Sequence, residues 1–129
     1  MAGGYTHKNL TQVEDSAPGF GMSEIQEARF GNDDLETQHT GFAYHRLKPD
    51  RKQGFAHRHE NAEEVYVVLK GAGRMKLDDD VIELQPLDAI RVAPDVTRMF
   101  EAGSEGLEVL AFGPRRKGDG EIVRDWWTD

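Results

Sequence analysis

The sequence predicts an all-β protein of a single domain, built as a sandwich or a barrel. Glycines, prolines and clusters of aspartate interrupt the chain about every ten residues, a spacing typical of such folds. Glycine accounts for 14 of the 129 residues, against a usual share of ~7%. The segments between these interruptions are short and rich in β-branched, aromatic and aliphatic residues, which indicates roughly six to eight strands. A chain of 129 residues has the usual length of one domain.

Each expected strand ends at a turn signal. The segment 64–69, EVYVVL, is the clearest strand because apolar residues of high β-propensity follow one another in it. The triplet 78–80, three consecutive aspartates, separates two strand-like runs and predicts a hairpin from Arg74 to Leu84. The other expected strands are Gly41–Leu47, Phe55–His59, Ala89–Val92, Arg98–Glu101 and Leu107–Phe112.

Two further segments lie outside these strands. Ser23 and Gln26 have the spacing of a capping box, which predicts a helix over 25–30, but the alternation in 25–30 fits a strand equally well. Both interpretations stay open. The tail 118–129 is mostly polar and ends near two adjacent tryptophans, Trp126 and Trp127. We expect these two side chains to dock on the folded domain.

Composition excludes several classes of function. There are 16 basic and 24 acidic side chains, and the formal net charge of −8 argues against nucleic-acid binding, which needs a basic surface. The absence of cysteine excludes disulfides, thiolate metal ligands and a cysteine nucleophile. No apolar run approaches the ~20 residues of a membrane span, and no secretory signal is visible at the N-terminus. We therefore expect a cytoplasmic protein with no nucleic-acid or membrane partner.

His57 and His59 carry the strongest chemical signal. They stand two residues apart in a strand-like segment, so both imidazoles point to one face with Cα atoms ~6.6 Å apart. Glu64 begins the next strand and can bring a carboxylate to the same place. Two imidazoles and a carboxylate suit a divalent Fe, Mn, Ni, Co or Zn ion. The alternative is that these side chains only hydrogen-bond in a polar barrel mouth. Tyr66 and Phe55 share the same parity and would line a cavity for a small organic ligand.

The segment 54–71 resembles the first motif of the cupin family, G-x5-H-x-H-x3,4-E-x6-G. Arg51 stands where the family has its leading glycine. The residues that match the motif are His57, His59, Glu64 and Gly71.

The segment 86–102 is similar to the second cupin motif, G-x5-P-x-G-x2-H-x3-N, but less closely. Arg98 stands where the family usually has its fourth metal ligand, a histidine. The other four motif positions are also replaced, by Leu87, Ala93, Asp95 and Ala102.

The resemblance implies a single jelly-roll β-barrel with its site inside, facing one open end. It implies a core barrel over 41–112, an N-terminal segment 1–40 that packs on or extends the barrel, and a tail 113–129 that docks through its tryptophans. His57, His59 and Glu64 would be ligands of a mononuclear divalent metal. Small cupins are commonly dimers, so a homodimer is expected.

Three questions remain open at this point. Glu63 competes with Glu64 for the acidic role, although it has the wrong parity to share a face with Tyr66. His45 is a candidate fourth ligand, or a surface or core residue. Arg98, expected at the cavity mouth, would swing away from the site, pair with Glu64 in place of the metal, or hold an anionic ligand through its planar fork.

The expected function is binding of a small, anionic molecule in the barrel. With a metal, the resemblance implies dioxygenase- or isomerase-like activity, in which Tyr66 or Arg98 orients the substrate and is the candidate catalytic residue. Arg98, Tyr66 and Phe55 are the candidate ligand-binding residues. The alternative is a metal-free ligand-binding or sensing module in which an Arg98–Glu64 pair replaces the metal.

Overall fold

A computed structural model describes residues 4–128, and within them eight strands form one curled sheet. Two 3₁₀ turns, Leu10–Gln12 and Ala17–Phe20, precede the first strand, and a short helix α1, Asn32–Leu35, follows it. The all-β prediction is confirmed. The strands are β1 Gln26–Phe30, β2 Thr40–Leu47, β3 Ala56–His59, β4 Glu64–Leu77, β5 Asp80–Leu84, β6 Ala89–Val92, β7 Arg98–Pro114 and β8 Gly120–Val123.

Strands β4 and β7 are the long central pair of the sheet. They run antiparallel, and between them they pair with β2, β3, β5 and β6. The sequence predicts two separate strands in each of these segments, whereas each is continuous but bent, with irregular register at Val68/Lys70 and Gly71/Gly73. Gly71 and Gly106 both adopt φ +82, and a Cβ on Gly71 would lie 2.0 Å from the Gly106 carbonyl oxygen. Glycine therefore lets the two strands cross closely without ending.

The apolar core follows from the alternation of side chains along these strands. Tyr66 and Val68 lie on the inner face of β4 and are at most 1% exposed. They pack with Phe100, Leu107 and Val109 of β7, so Val68 and Phe100 belong to the core. Tyr66 also borders the cavity described below. The core thus ends directly beneath the candidate site.

Both terminal segments pack on this core region. Residues 26–30 form a strand, β1, that pairs with β2, so the strand interpretation of this segment is correct. At the other end β8 pairs with β3, and Trp127 is buried against Ala56 and Met99. Lys76 lies 4.6 Å from the ring centre of Trp126. Within residues 4–128, no helix is both long enough and apolar enough to cross a membrane.

Candidate metal and ligand site

A cavity of about 360 Å³ opens on the inner face of the sheet. Its walls are largely apolar and include four phenylalanine rings, and β2, β3 and the start of β4 contribute a group of polar side chains at its inner end. The aromatic wall residues are Phe20, Phe30, Phe42 and Phe55. The polar residues at its inner end are His45, His57, His59, Glu64 and Tyr66.

The short strand β3 and the first residue of β4 bring three metal-ligating side chains together. His57 and His59 lie on one face of β3, with ring centres 5.2 Å apart. Glu64 Oε1 lies 3.2 Å from His57 Nε2 and 3.1 Å from His59 Nε2. We call these three residues the His-His-Glu cluster. Among residues 4–128 it is the only group of three or more His, Cys, Asp or Glu whose ligand atoms all lie within 4.8 Å of one another.

Glu64 is held as a carboxylate at the centre of this cluster. Its Oε1 accepts a hydrogen bond of 2.6 Å from the Tyr66 hydroxyl and another of 2.6 Å from Arg98 Nη2. Burial alone raises the pKa of Glu64, but the contacts with His57, His59 and Tyr66 outweigh it and bring that pKa well below its usual range. Burial and the charge of Glu64 raise the pKa of Tyr66, so its hydroxyl stays protonated.

Asp119 orients the second histidine of the cluster from outside. Its Oδ2 lies 3.2 Å from His59 Nδ1 and also accepts the Ala62 amide at 2.9 Å. Burial alone would raise the pKa of Asp119. The hydrogen bonds from Ala62 and Asn61 outweigh it and hold that pKa below its usual value, so the carboxylate stays ionised. In the tautomer that donates Nδ1–H to Asp119, the lone pair on His59 Nε2 points at Glu64 Oε1. Metal-ligating histidines typically donate their other ring N–H to a carboxylate or a backbone carbonyl in this way.

The ligand atoms of His59 and Glu64 lie close enough to hold one cation between them. A nitrogen lone pair and a carboxylate oxygen repel each other at 3.1 Å unless a proton or a metal ion separates them. Burial lowers the pKa of His57, which therefore adds a neutral imidazole beside the same oxygen. The cluster therefore has the donor set of a cation site.

Arg98 lies behind the cluster and not at the cavity mouth, so that expectation is wrong. Its side chain is 0% exposed, and it is not among the residues that line the cavity. Residue 98 pairs with His57 across β3 and β7, which explains why its guanidinium reaches Glu64. Nε donates to the Tyr66 hydroxyl at 3.2 Å, and Nη1 donates to backbone carbonyls, the nearest being Val96 at 2.8 Å. Arg98 therefore positions Glu64 and Tyr66 and does not face a ligand.

The other predicted site residues lie in distinct places. Phe55 and Tyr66 line the cavity, and the Phe55 ring stands edge-on to Phe20 with ring centres 5.9 Å apart. Glu63 is outside the cluster: its side chain is 58% exposed and lies 3.4 Å from Arg91. The parity argument that favoured Glu64 over Glu63 agrees with this arrangement.

His45 faces the cavity from β2 but does not belong to the His-His-Glu cluster. Its ring stands edge-on to Phe30, with ring centres 5.8 Å apart. Its Nδ1 is buried, with no hydrogen-bond partner among residues 4–128. Burial lowers the pKa of His45 to about 4. In this geometry His45 is a neutral wall residue outside the cluster, and its role as a fourth ligand stays a prediction.

His45 should make the stability of the protein depend on pH. Its folded pKa of about 4 lies below the unfolded value of ~6.5, so the stability it contributes is present above pH ~6.5 and is lost as the pH falls. Between pH 7 and pH 5 we expect it to lower the free energy of unfolding by about 2 kcal/mol. Urea unfolding at several pH values measures this, and His45→Phe should flatten the dependence by that amount. An unchanged pH dependence in His45→Phe would contradict the prediction.

Sequence reasoning missed three residues of the site: Asp119, Arg115 and Arg116. Asp119 lies between two glycines, 60 residues from His59, and no spacing rule connects them. Arg115 and Arg116 also line the cavity. Their signal was visible, because 115–117 is the only run of three consecutive Arg or Lys residues in the chain.

Comparison with known proteins agrees with this architecture. The model of the family described as "Cupin domain" matches residues 43–113. An uncharacterized protein of Methanocaldococcus jannaschii is 33% identical over 80 residues, which cover 60% of this chain and 64%, less than two thirds, of that relative. A crystal structure of a cupin protein from Bacteroides fragilis has TM-score 0.70 and 23% identity, covering 99% of both chains. A sugar phosphate isomerase of the cupin superfamily from Silicibacter pomeroyi has TM-score 0.70 and 16% identity, covering 93% of both chains.

At identities of 23% and 16%, the two solved structures speak for the fold alone. They confirm the jelly-roll prediction, and the family match covers more than half of the chain. The chain therefore belongs to the cupin family.

Proposed function

We propose that this protein binds a small organic anion in its cavity, beside a divalent metal ion held by His57, His59 and Glu64. The observation that carries the proposal is that the His-His-Glu cluster opens onto a cavity of about 360 Å³ with largely apolar walls that include four phenylalanine rings. A cavity of this size, mostly apolar with a few convergent polar groups, suits a small organic ligand. The sugar phosphate isomerase from Silicibacter pomeroyi, which shares the fold, is named for an anionic substrate.

The donor set fits a divalent metal. It supplies two imidazole nitrogens and a carboxylate that stays ionised, a combination that suits Fe, Mn, Co, Ni or Zn. Asp119 fixes the ring of His59 in the orientation that a ligand needs. When bound there, such an ion would supply a Lewis acid or an oxygen-activating centre, which is the chemistry of an isomerase- or dioxygenase-like reaction.

The chain's own residues would bind and orient the ligand. The rings of Phe20 and Phe55 pack against each other in the cavity wall and would cover the apolar part of a bound molecule. The hydroxyl of Tyr66 keeps its proton and donates a hydrogen bond to Glu64, so it holds that carboxylate in place. Because the hydroxyl already donates to Glu64, the part of Tyr66 that would contact the ligand is its ring.

One observation favours a second candidate, a metal-free binding or sensing module. Arg98 Nη2 lies 2.6 Å from Glu64 Oε1, and the Arg98 side chain is 0% exposed. This guanidinium neutralises the carboxylate that a metal ion would otherwise neutralise, and it stands where the family has its fourth ligand.

Metal analysis separates the two candidates. We expect protein purified without chelator or added metal to carry about one equivalent of a transition metal, and the double variant His57→Ala/His59→Ala to carry none. The matched control is His7→Ala/His39→Ala, which removes two exposed histidines outside the cluster and should keep the metal. Equal, negligible metal in the wild type and in the cluster variant would refute the metal site and leave the metal-free candidate.

A thermal-shift screen with small carboxylates and sugar phosphates tests the ligand half of the proposal. At least one compound should raise the melting temperature in proportion to its concentration. Failure of every compound, with and without metal, would count against ligand binding in either candidate.

Homodimerisation and a cytoplasmic location stay predictions.

A further inference from the structure

We infer that Arg116, at the rim of the cavity, binds the anionic group of the ligand, which would therefore be an apolar or aromatic molecule bearing a carboxylate or phosphate. This inference rests on the proposed function, because it needs a ligand in the cavity. It moves anion recognition from Arg98, where the sequence pattern suggested it, to a residue that no motif covers.

The end of β7 and the turn after it, residues 113–116, form part of the cavity wall. Arg115 anchors this turn: its Nη1 donates to the Thr37 carbonyl at 2.5 Å, and its Nη2 pairs with Asp33. The backbone amide of Arg115 also donates to the His39 carbonyl at 2.8 Å. The hydrogen bonds of Arg115 thus fix the backbone at the rim of the cavity. The next residue, Arg116, extends from this fixed backbone.

Arg116 is the arginine at this rim that is available to a ligand. It is exposed, and its guanidinium has no hydrogen-bond or ion-pair partner among residues 4–128. It lines both the main cavity and a smaller recess of about 210 Å³. The two spaces share Phe30, Asn32, Arg115 and Arg116, so a ligand in the cavity can extend an anionic end toward Arg116.

The charges around the rim favour an anion. Three cationic side chains, Arg115, Arg116 and Lys117, and only one carboxylate, Asp33, line the recess. Asp33 is already paired with Arg115, and the other rim carboxylate, Glu121, accepts a hydrogen bond of 2.9 Å from Arg58 Nε.

Among residues 4–128, neither Arg116 nor Lys117 has an ion-pair partner, in a protein whose net charge is −8. The planar fork of arginine matches the geometry of a carboxylate or phosphate. Arg98 cannot take this role, since it is wholly buried and all three of its guanidinium nitrogens already donate to protein oxygens.

The test compares charged and neutral aromatic probes by NMR titration of the ¹⁵N-labelled protein. Benzoate and phenyl phosphate should each bind at least about ten-fold more tightly than benzamide, which has a similar shape and no charge. Arg116→Ala should remove this preference and leave the affinity for benzamide unchanged. Arg116→Lys should keep part of it, because lysine retains the charge without the fork. The matched control Arg91→Ala removes an exposed arginine of β6 and should bind all three probes as the wild type does.

The outcomes distinguish this inference from the proposed function. If none of the three probes shifts the amide signals of the cavity residues in the wild type, the proposed function fails, and the inference with it. If the probes bind and Arg116→Ala keeps the full preference for the anions, the inference alone is overturned. Titration with inorganic phosphate is a further check: it should bind more weakly than phenyl phosphate, and equal affinity would contradict a ligand that reaches from the cavity to the rim.

Discussion

Replacing Arg98 with alanine is expected to lower the free energy of unfolding by about 3–5 kcal/mol. The substitution removes the guanidinium that lies 2.6 Å from Glu64 and is itself 0% exposed, so it leaves a partly buried carboxylate without its strongest cation. It also leaves the carbonyls of Pro94 and Val96 without the donor that reaches them at 3.2 and 2.8 Å. Breaking one partner of such a pair costs far more than losing a surface ion pair.

Urea unfolding at pH 7 in the presence of a chelator measures this effect without a contribution from bound metal. The double variant Arg98→Ala/Glu64→Gln should recover part of the loss, because no uncompensated charge then remains. Arg91→Ala, which removes an exposed arginine from a 3.4 Å surface pair, is the control and should change the stability by less than about 0.5 kcal/mol. A loss below about 1 kcal/mol in Arg98→Ala would show that the guanidinium is not what neutralises Glu64.

The second expected result is that Arg98→His tightens binding of a divalent metal at least about 100-fold. A guanidinium and a divalent ion ~5 Å apart repel by roughly 6–7 kcal/mol at an effective dielectric of about 20. The substitution removes that repulsion and supplies an imidazole at the position where the family has its fourth ligand. Competition titration of Co²⁺ or Zn²⁺ against a chelator of known affinity gives the dissociation constants.

A companion variant, Arg98→Gln, separates the two contributions, because it removes the charge without adding a ligand. Its affinity should fall between those of the wild type and Arg98→His. Circular dichroism should first establish that both variants are folded, since residue 98 is buried. An affinity in Arg98→His equal to that of the wild type would mean that the side chain at position 98 does not reach the metal.

The cluster itself could be predicted from the sequence because it depends on local periodicity. His57 and His59 are two residues apart on one strand, so they share a face wherever that strand lies. Glu64 and Tyr66 obey the same rule on β4, and their common face meets the histidines in the structure. The spacing between the histidines of β3 and Glu64 of β4 resembles that of the cupin motif, and this resemblance predicted that the two strands face each other.

The roles of the arginines could not be predicted in this way. The position of Arg98 in the motif predicts which site it belongs to. It does not predict how deeply the side chain is buried, so the expectation of a place at the cavity mouth was wrong. Its burial depends on backbone carbonyls of the turn at 93–96 that accept its hydrogen bonds. Arg115 and Arg116 reach the cavity because β7 continues to residue 114 and then turns over the rim.

The sequence alone determined the all-β class, most of the strands and the three side chains of the cluster, because alternation along a strand and spacing within a motif are local properties. The tertiary structure decided what surrounds them. Asp119 reaches His59 because β8 pairs with β3, and Arg98 lies beside the cluster because β7 pairs with β3 at His57. Contacts between residues tens of positions apart depend on how strands pair and bend, and no short-range pattern in the chain encodes them.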